Sequence, residues 1–355
     1  MKERVLVIRF SALGDVAMLS PIVRQYALEH PDDSITVLSR PFCAPLFEDI
    51  APNVCFLGKD IKDDYKGLRG LYRLFRELHA MHFDRIVDCH DVLRTKVLRL
   101  FFKKHHYPVS TIDKHRSLRR QITAPQPKKQ LIQLPTAFQN YWEAITEEPG
   151  FYRDSRDSRL SRDSRLSRES SLSPASKLFG VAPFAAHEGK IYPLHLMEQV
   201  VALLSAEGTV ILFGGKGKEE DTMRAWAQKY NNVFLAKDPE VAGIANVSGS
   251  PSSGLSYELD LMRRLTVMLS MDSANMHLAS LVGTRVVSIW GATHPYAGFL
   301  GWQQSPDDCI QLDMPCRPCS IYGNKPCIYN DHRCMTKITP ERIIEAIYRD
   351  NDITL

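Results

Sequence analysis

The chain has 355 residues, enough for two domains of ordinary size. Its 44% hydrophobic and 24% charged residues are typical of a soluble globular protein. No stretch approaches the roughly 18 consecutive apolar residues of a membrane-spanning helix. Met1–Arg4 leads directly into a strand-like run without a signal-peptide pattern. We therefore expect a cytoplasmic protein.

The formal net charge is only +4, but it is unevenly distributed. Residues 59–129 contain 18 Lys and Arg against 8 Asp and Glu, whereas the remainder contains 27 against 33. This asymmetry predicts a polyanionic partner for the first domain, namely nucleic acid, an anionic membrane surface or a phosphorylated glycolipid. For each single basic residue, a solvated helix face is the alternative explanation.

The first part of the chain alternates predicted strands with predicted helices. The apolar runs predict strands at Val5–Ile8, Ile35–Leu38, Val54–Leu57 and Arg85–Val87. The predicted helices are Ile22–Glu29, which we expect to begin near Met18, and Leu68–Ala80 and Leu93–Phe102. Such alternation is typical of a parallel sheet with helices on both faces.

Asp15 ends a short loop, Ser11–Asp15, that follows the first predicted strand. Open α/β sheets bind ligands at the carboxyl ends of their strands, so a carboxylate here lies where a ligand would bind. Asp15 is therefore a candidate general base toward a bound hydroxyl. The alternative is that Asp15 caps the following helix.

A tract of different composition begins at Arg153. Residues 154–168 consist of five tripeptides, each DSR or LSR, and this period of three supports neither a helical stripe nor strand alternation. We interpret residues 153–176 as a flexible linker or surface loop. Arg-Ser tracts also occur in RNA-binding proteins, which is the alternative interpretation.

After this tract, the alternation of strands and helices begins again. The predicted strands are Leu178–Ala182, Thr209–Phe213, Met268–Met271 and Val286–Trp290. The predicted helices are Leu194–Glu207, Glu219–Tyr230, Ser273–Leu281 and a final helix opened by Thr339 and Pro340. Two halves of this kind predict two Rossmann-like domains.

Three loops at strand ends carry candidate binding chemistry. Lys190 lies in a small-residue loop and could neutralise a diphosphate. Gly214-Gly215 allows close backbone approach, and a following Glu could bind ribose hydroxyls. The segment Asp272–Asn275 opens a helix whose free N–H groups suit a phosphate, with His277 one turn further on. A surface lysine, an ordinary turn and a structural histidine are the respective alternatives.

The segments RFSALGDVAMLSP, KIYP and SMDSANMHLASLVGTRVVSIWGATHP occur here in that order. Their combination resembles glycosyltransferase family 9, the bacterial lipopolysaccharide heptosyltransferases. The resemblance implies an α/β GT-B fold, in which two Rossmann-like domains with parallel sheets face a central cleft. It implies an acceptor-binding domain at residues 1–152, the linker at 153–176, a nucleotide-sugar domain at 177–338 and a C-terminal helix at 339–355.

The resemblance also implies roles for individual residues. Asp15 matches the general base, Lys190 the lysine at the donor phosphates, and Glu220 (or Glu219) the acid at the ribose. Asp272, Ser273, Ala274 and Asn275 match the donor loop, with His277 on the helix behind it. The expected acceptor-binding residues are Ser11, Gly14, Arg94, Lys96, Arg116, Arg119 and Arg120.

Two departures from the family pattern leave the donor open. Ala185 and Ala186 stand where hydroxyl residues are common, and Asp-Ser-Ala replaces Asp-Thr-Gly at Asp272. Each lost hydroxyl removes a phosphate hydrogen bond worth about 1–3 kcal/mol. These departures leave a GT-B transferase with another nucleotide sugar as an alternative. Two further alternatives are a nucleotide-sugar epimerase and a non-enzymatic binder of anionic lipid or RNA, the latter based on the basic first domain and the Arg-Ser tract.

The resemblance implies transfer with inversion and without cofactor or obligatory metal. The implied partners are ADP-heptose and a lipid A-Kdo or core oligosaccharide acceptor at the inner face of the cytoplasmic membrane, not nucleic acid. A reducing compartment argues against disulfides. A structural zinc site is a weaker possibility, on the spacing of Cys316, Cys319, Cys327 and Cys334.

Overall fold

The computed structural model describes residues 2–148 and 177–349, so the predicted linker lies outside the described residues. Within them, the chain divides into two compact units. The first unit comprises residues 2–115 and 135–148, and the second comprises 116–134 and 177–349. The resemblance had implied that residues 116–134 belong to the first domain. They group with the second unit because Ile122 and Leu134 pack against Ala297.

The described strands of the first unit form a parallel sheet in the order β3-β2-β1-β4-β5. The strands are β1 (Arg4–Ile8), β2 (Ser34–Ser39), β3 (Val54–Gly58), β4 (Arg85–Asp88) and β5 (Val109–Thr111). Central strand β1 is buried from Val5 to Ile8, which explains its continuous apolar run. In register, Ile8 lies opposite Leu38 of β2 and Asp88 of β4. The carboxyl end of β1 therefore lies beside that of β4.

Helices cover this sheet and bury their apolar faces in its core. They are α1 (Leu13–Glu29), α2 (Gly67–His79), α3 (Leu93–Lys104) and α5 (Ala137–Thr146), with a 3-10 turn at Pro41–Leu46; α4 (Arg116–Ile122) belongs to the second unit. Phe75 of α2 and Phe102 of α3 meet edge to face, with ring centroids 5.1 Å apart. The predicted alternation of parallel strands and helices is confirmed.

Helix α1 begins earlier than the sequence predicted, at Leu13 rather than near Met18. Asp15 therefore lies inside the first helical turn, and Pro21 lies in the helix interior. The early start has a local cause: the Asp15 carboxylate accepts a hydrogen bond from the backbone N–H of Ala12 at 3.1 Å. A carboxylate in the first turn also interacts favourably with the positive end of the helix dipole.

The described strands of the second unit form another parallel sheet, in the order β11-β10-β9-β6-β7-β8. They are β6 (Lys177–Ala182), β7 (Gly208–Leu212), β8 (Val233–Leu235), β9 (Val267–Met271), β10 (Val286–Ile289) and β11 (Cys309–Ile310). Strands β6 and β9 are neighbours, and Ala182 lies opposite Ser270. This pairing brings two of the predicted binding loops to the same edge of the sheet.

The four helices predicted for the second half are present, and the described residues of this half contain three further helices that the sequence did not predict. Together they are α6 (Leu194–Glu207), α7 (Lys218–Lys229), α8 (Pro239–Ile244), α9 (Leu255–Arg264), α10 (Ala274–Leu281), α11 (Arg333–Thr336) and α12 (Pro340–Ile347). Thr339 caps α12 as predicted, because its side chain accepts a hydrogen bond from the backbone N–H of Arg342. None of the helices described here has the length and apolar character needed to cross a membrane.

Candidate active site

Asp15 lies at the carboxyl end of β1, where the sequence placed a ligand-binding carboxylate. Its Oδ2 accepts hydrogen bonds from the Ala12 N–H at 3.1 Å and from Arg9 Nη2 at 2.9 Å. The Asp15 side chain remains 29% exposed. Within the described residues, both contacts fall on Oδ2, so Oδ1 is free to meet a ligand. Asp15 thus supports the helix start and presents a carboxylate oxygen, which makes the two sequence interpretations compatible.

Arg9 holds the Asp15 carboxylate in place, although the sequence alone did not predict this role. Its guanidinium donates from Nη1 to the Cys89 carbonyl at 2.6 Å and lies 5.7 Å from the centre of the Tyr141 ring. Burial alone would lower the pKa of Arg9, but Tyr141 and Asp15 raise it overall. Arg9 therefore keeps a positive charge beside Asp15. The available signal was a charged residue directly after a buried apolar strand.

Ser11 and Gly14 lie in the same loop and first turn as Asp15. Ser11 Oγ is 3.2 Å from Nε2 of His90, a residue in the loop after β4. Ser11 and His90 line a cavity of about 400 Å3, together with apolar side chains and three basic residues, Arg40, Lys62 and Arg94. The structure thus brings the predicted residues Ser11 and Arg94 to one cavity in the first unit. Its positive lining suits a ligand that carries negative charge.

The remaining predicted acceptor residues do not all share that unit. Lys96 of α3 lies 3.7 Å from Asp91, a loop residue of the first unit. Arg119 of α4 donates to the Tyr322 hydroxyl at 2.7 Å and lies 5.2 Å from the centre of the Phe299 ring. These contacts stay inside the second unit, to which Arg116 and Arg120 also belong. The predicted acceptor set is therefore divided between the two units.

The second unit brings together two predicted donor residues, Lys190 and Asp272. Lys190 ends the 3-10 turn Glu188–Lys190 after β6, and Asp272 directly follows β9. Lys190 Nζ lies 3.0 Å from Asp272 Oδ2, and the two side chains are 14% and 6% exposed. Residues 82 positions apart therefore form a nearly buried ion pair at the carboxyl edge of the sheet.

The loop around Gly323 supports the Lys190 side chain from the other side. Gly323 is buried and has a φ of +77°, in the left-handed region that favours glycine. A Cβ at this position would lie only 2.4 Å from Lys190 Cγ and 2.7 Å from Cδ. The backbone at Gly323 therefore packs directly against the methylene chain that carries the ammonium group.

The predicted donor loop forms the start of α10. Ser273 is the N-cap residue with an extended backbone, and Ala274 and Asn275 are the first helical residues. The Ser273 hydroxyl does not cap the helix; it lies 3.2 Å from the hydroxyl of Ser270. The first N–H groups of α10 follow Asp272, the ion-pair partner of Lys190, and free N–H groups at a helix start suit a phosphate. His277 is buried one turn into the helix, 7% exposed.

The two candidate ribose acids have different surroundings. Glu219 Oε2 accepts from the backbone N–H of Gly215 at 2.7 Å, so Glu219 closes the glycine turn. Glu220 pairs with Lys237, and the hydrogen bond from Lys237 lowers the pKa of Glu220. Because Glu219 is already used within the turn, Glu220 is the acid better placed to exchange its partner for ribose hydroxyls.

The four C-terminal cysteines are free thiols in the structure. Across residues 2–148 and 177–349, no three His, Cys, Asp or Glu side chains are arranged to hold a metal ion. Burial raises the pKa of Cys334 to about 11. The zinc alternative drawn from the cysteine spacing thus finds no support in the geometry.

Comparison with known proteins identifies a family to which the chain is similar. The model of glycosyltransferase family 9 (heptosyltransferase) matches residues 71–326. The chain is 22% identical over 340 residues to lipooligosaccharide heptosyltransferase 2 of Campylobacter jejuni, which covers 94% of this chain and 93% of the relative.

Two solved structures share the fold over nearly the full length. One is a family 9 glycosyltransferase from Veillonella parvula, with a TM-score of 0.68, 16% identity and coverage of 98% of this chain and 96% of the other. The second is the ADP-heptose lipopolysaccharide heptosyltransferase II of E. coli, with a TM-score of 0.62, 17% identity and 98% coverage of both chains. These likenesses show the GT-B class of fold.

Proposed function

The chain belongs to glycosyltransferase family 9, and we propose that it transfers heptose from ADP-heptose to an inner-core lipopolysaccharide acceptor with inversion. The observation that carries the proposal is the Lys190–Asp272 pair, 3.0 Å apart beside the N-terminus of α10. The names of the Campylobacter and E. coli relatives support the choice of heptose and ADP.

In this proposal the second unit binds the donor. Lys190 and the first N–H groups of α10 stabilise the diphosphate, which gains negative charge as ADP departs. Asp272 would repel a diphosphate if it were unpaired, but its ion pair with Lys190 offsets its charge. Carboxylate oxygens are good acceptors for sugar hydroxyls, so Asp272 is assigned to the heptose and Glu220 to the ribose.

The first unit binds the acceptor. Asp15 Oδ1 accepts the proton of the acceptor hydroxyl while the hydroxyl oxygen attacks the anomeric carbon and the bond to ADP breaks. Arg9 keeps the carboxylate aimed through its 2.9 Å contact with Oδ2. The basic cavity beside Ser11 receives a negatively charged group of the acceptor, such as a Kdo carboxylate or a lipid A phosphate.

The decisive experiment measures ADP release and product mass with ADP-heptose and O-deacylated Kdo-lipid A. Asp15→Asn keeps the size and the hydrogen-bond acceptor of the side chain but cannot take a proton. We expect transfer to fall by about 10²–10⁴ while ADP-heptose binding is retained. Transfer at the wild-type rate in Asp15→Asn would remove Asp15 from the role of base.

The donor needs a separate test because Ala185 and Ala186 lack the hydroxyl groups common in the family. A thermal-shift screen of ADP-, UDP-, GDP- and CDP-sugars compares binding directly, since at equal ligand concentration a tighter ligand raises the melting temperature more. We expect the largest shift with ADP-heptose. A larger shift with another nucleotide sugar would leave the transferase assignment in place and change the donor.

We also assign the enzyme a peripheral position at the inner face of the cytoplasmic membrane. Helices α2 and α3 pack together and expose both apolar and basic side chains. Leu68 is 65% exposed and Leu100 is 66% exposed, and Arg69 and Lys103 are exposed close to them in the sequence. Such a mixture suits an anionic lipid surface.

Co-sedimentation with phosphatidylglycerol vesicles tests this position. Leu68→Ser/Leu100→Ser should weaken vesicle binding without changing transfer to the water-soluble O-deacylated acceptor. The matched control is Leu203→Ser, since Leu203 of α6 is 45% exposed but lies in the more acidic part of the chain. Equal vesicle binding by all three proteins would contradict the membrane assignment.

A further inference from the structure

His90 lines the basic cavity and contacts the loop that carries Asp15. It follows β4, the strand next to β1, and its backbone N–H donates to Asp88 Oδ1 at 2.9 Å. The His90 side chain is 7% exposed, and Nε2 is 3.2 Å from Ser11 Oγ. His90 Nδ1 is buried and has no hydrogen-bond partner among the described residues. A nearly buried polar ring is thus directed at one hydroxyl.

The surroundings of His90 keep its ring neutral. Burial, and then the positive charges of Arg9 and Lys114, lower the pKa of His90 to about 3. Asp15 and Asp91 act in the opposite direction but do not compensate. A neutral imidazole has one donor nitrogen and one acceptor nitrogen, so Nε2 either donates to Ser11 Oγ or accepts from it.

We propose that His90 is a positioning residue of the acceptor site, which holds Ser11 Oγ so that the serine hydroxyl donates to an oxyanion of the acceptor. This inference rests on the proposed function and concerns the same site. In this proposal, the Ser11–His90 pair acts together with the basic side chains to position the acceptor relative to Asp15.

The direction of the hydrogen bond follows from the unpartnered Nδ1. A buried N–H without an acceptor is rarer in proteins than a buried acceptor without a donor. The proton therefore lies on Nε2, which donates to Ser11 Oγ, and the Ser11 O–H turns toward the cavity as a donor. Arg40, Lys62 and Arg94 line the same cavity and favour a negatively charged acceptor oxygen.

Steady-state kinetics with ADP-heptose and O-deacylated Kdo-lipid A test the proposal through His90→Ala, His90→Gln, Ser11→Ala and the double Ala variant. We expect His90→Ala and Ser11→Ala each to raise the acceptor KM about three- to tenfold and to leave the donor KM unchanged. His90→Gln should restore the wild-type value because its amide N–H₂ can reach the position of Nε2. The double variant should be no worse than Ser11→Ala.

His30→Ala is the matched control, because His30 is an exposed histidine of the same unit outside the cavity. A purely structural role for His90 would raise both KM values, or lower the melting temperature without a change in the acceptor KM. Additive effects in the double variant would show that His90 does not act through Ser11. Either result overturns the proposal. Ser11→Ala and His90→Gln keep the test valid if His90→Ala does not fold.

Two modified acceptors identify the oxyanion. If Ser11 donates to the Kdo carboxylate, Ser11→Ala should no longer raise the acceptor KM when the acceptor is the Kdo methyl ester. If Ser11 donates to a phosphate, Ser11→Ala should no longer raise the acceptor KM when the acceptor is dephosphorylated. An effect that persists with both would overturn the oxyanion assignment. Calorimetry of acceptor binding needs no turnover, so it tests His90 even if wild-type protein transfers no heptose. Absence of transfer would refute the proposed function instead.

Discussion

Replacement of Gly323 by Ala should damage donor chemistry through Lys190. The new Cβ would lie 2.4 Å from Lys190 Cγ and 2.7 Å from Cδ, well inside van der Waals contact. The lysine stem must therefore move by about 1 Å, to the usual carbon–carbon separation of about 3.5 Å. Because Nζ is held 3.0 Å from Asp272, that movement displaces the ammonium from its site.

The effect on rate follows from the displacement. A misplacement of about 1 Å in a reacting site costs up to about 10²-fold in rate. We expect the kcat/KM for ADP-heptose to fall by about 10–100-fold in Gly323→Ala. The positive φ of +77° adds a stability cost of about 1–2 kcal/mol, which must be separated from the effect on the lysine.

Gly254→Ala provides that separation. Gly254 lies in the same unit and has a φ of +61°, but a Cβ there would meet no atom within 4 Å. Both variants should lose stability by thermal denaturation because of the positive φ, and Gly323→Ala alone should lose donor kcat/KM in the ADP-release assay. Equal kcat/KM losses in the two variants would refute the reasoning, since strain without contact would then explain everything.

Three further predictions follow from other contacts. Lys190→Met leaves the 6% exposed Asp272 carboxylate without its cation, so it should lower stability by about 1–3 kcal/mol; adding Asp272→Asn should restore the melting temperature but not transfer. In the double variant, recovery of transfer, measured by ADP release, would place the pair outside the donor site. A melting temperature that is not restored, measured by calorimetry, would contradict the ion-pair account. The pKa of His90 is about 3 in the folded protein against an ordinary 6.5, so below pH 6.5 the unfolded chain binds a proton that the folded protein does not. The contribution of His90 to the free energy of unfolding is fully present above pH 6.5 and is lost as the pH falls toward 3, by up to about 1.4 kcal/mol per pH unit. In urea denaturation, His90→Gln should therefore lose less stability than the wild-type protein between pH 6 and 4. Partial burial raises the pKa of Cys327, but hydrogen bonds from four backbone N–H groups lower it overall; the donors are Tyr329, His332, Asp331 and Asn330. Burial raises the pKa of Cys334 to about 11. Iodoacetamide at pH 7 should therefore modify Cys327 before Cys334, and the reverse order by peptide mass spectrometry would contradict this account.

The sequence by itself determined the local structure. Buried parallel strands gave continuous apolar runs, as at Val5–Ile8, and Thr339-Pro340 marked the start of α12. Short elements escaped detection: β11 has two residues and β5 has three, too few to show any periodicity. The start of α1 was misplaced because it depends on the Asp15 side chain bonding to Ala12, not on apolar spacing.

The sequence also located the candidate donor and acceptor loops, because they follow strands and match the family motifs. It did not show that Lys190 pairs with Asp272, or that His90 contacts Ser11. Both pairings join residues about 80 positions apart, and both arise because strands distant in sequence, β6 with β9 and β1 with β4, are neighbours in a sheet. Periodicity reports which face of an element is buried but carries no information on strand order, so the tertiary structure alone decided which side chains meet.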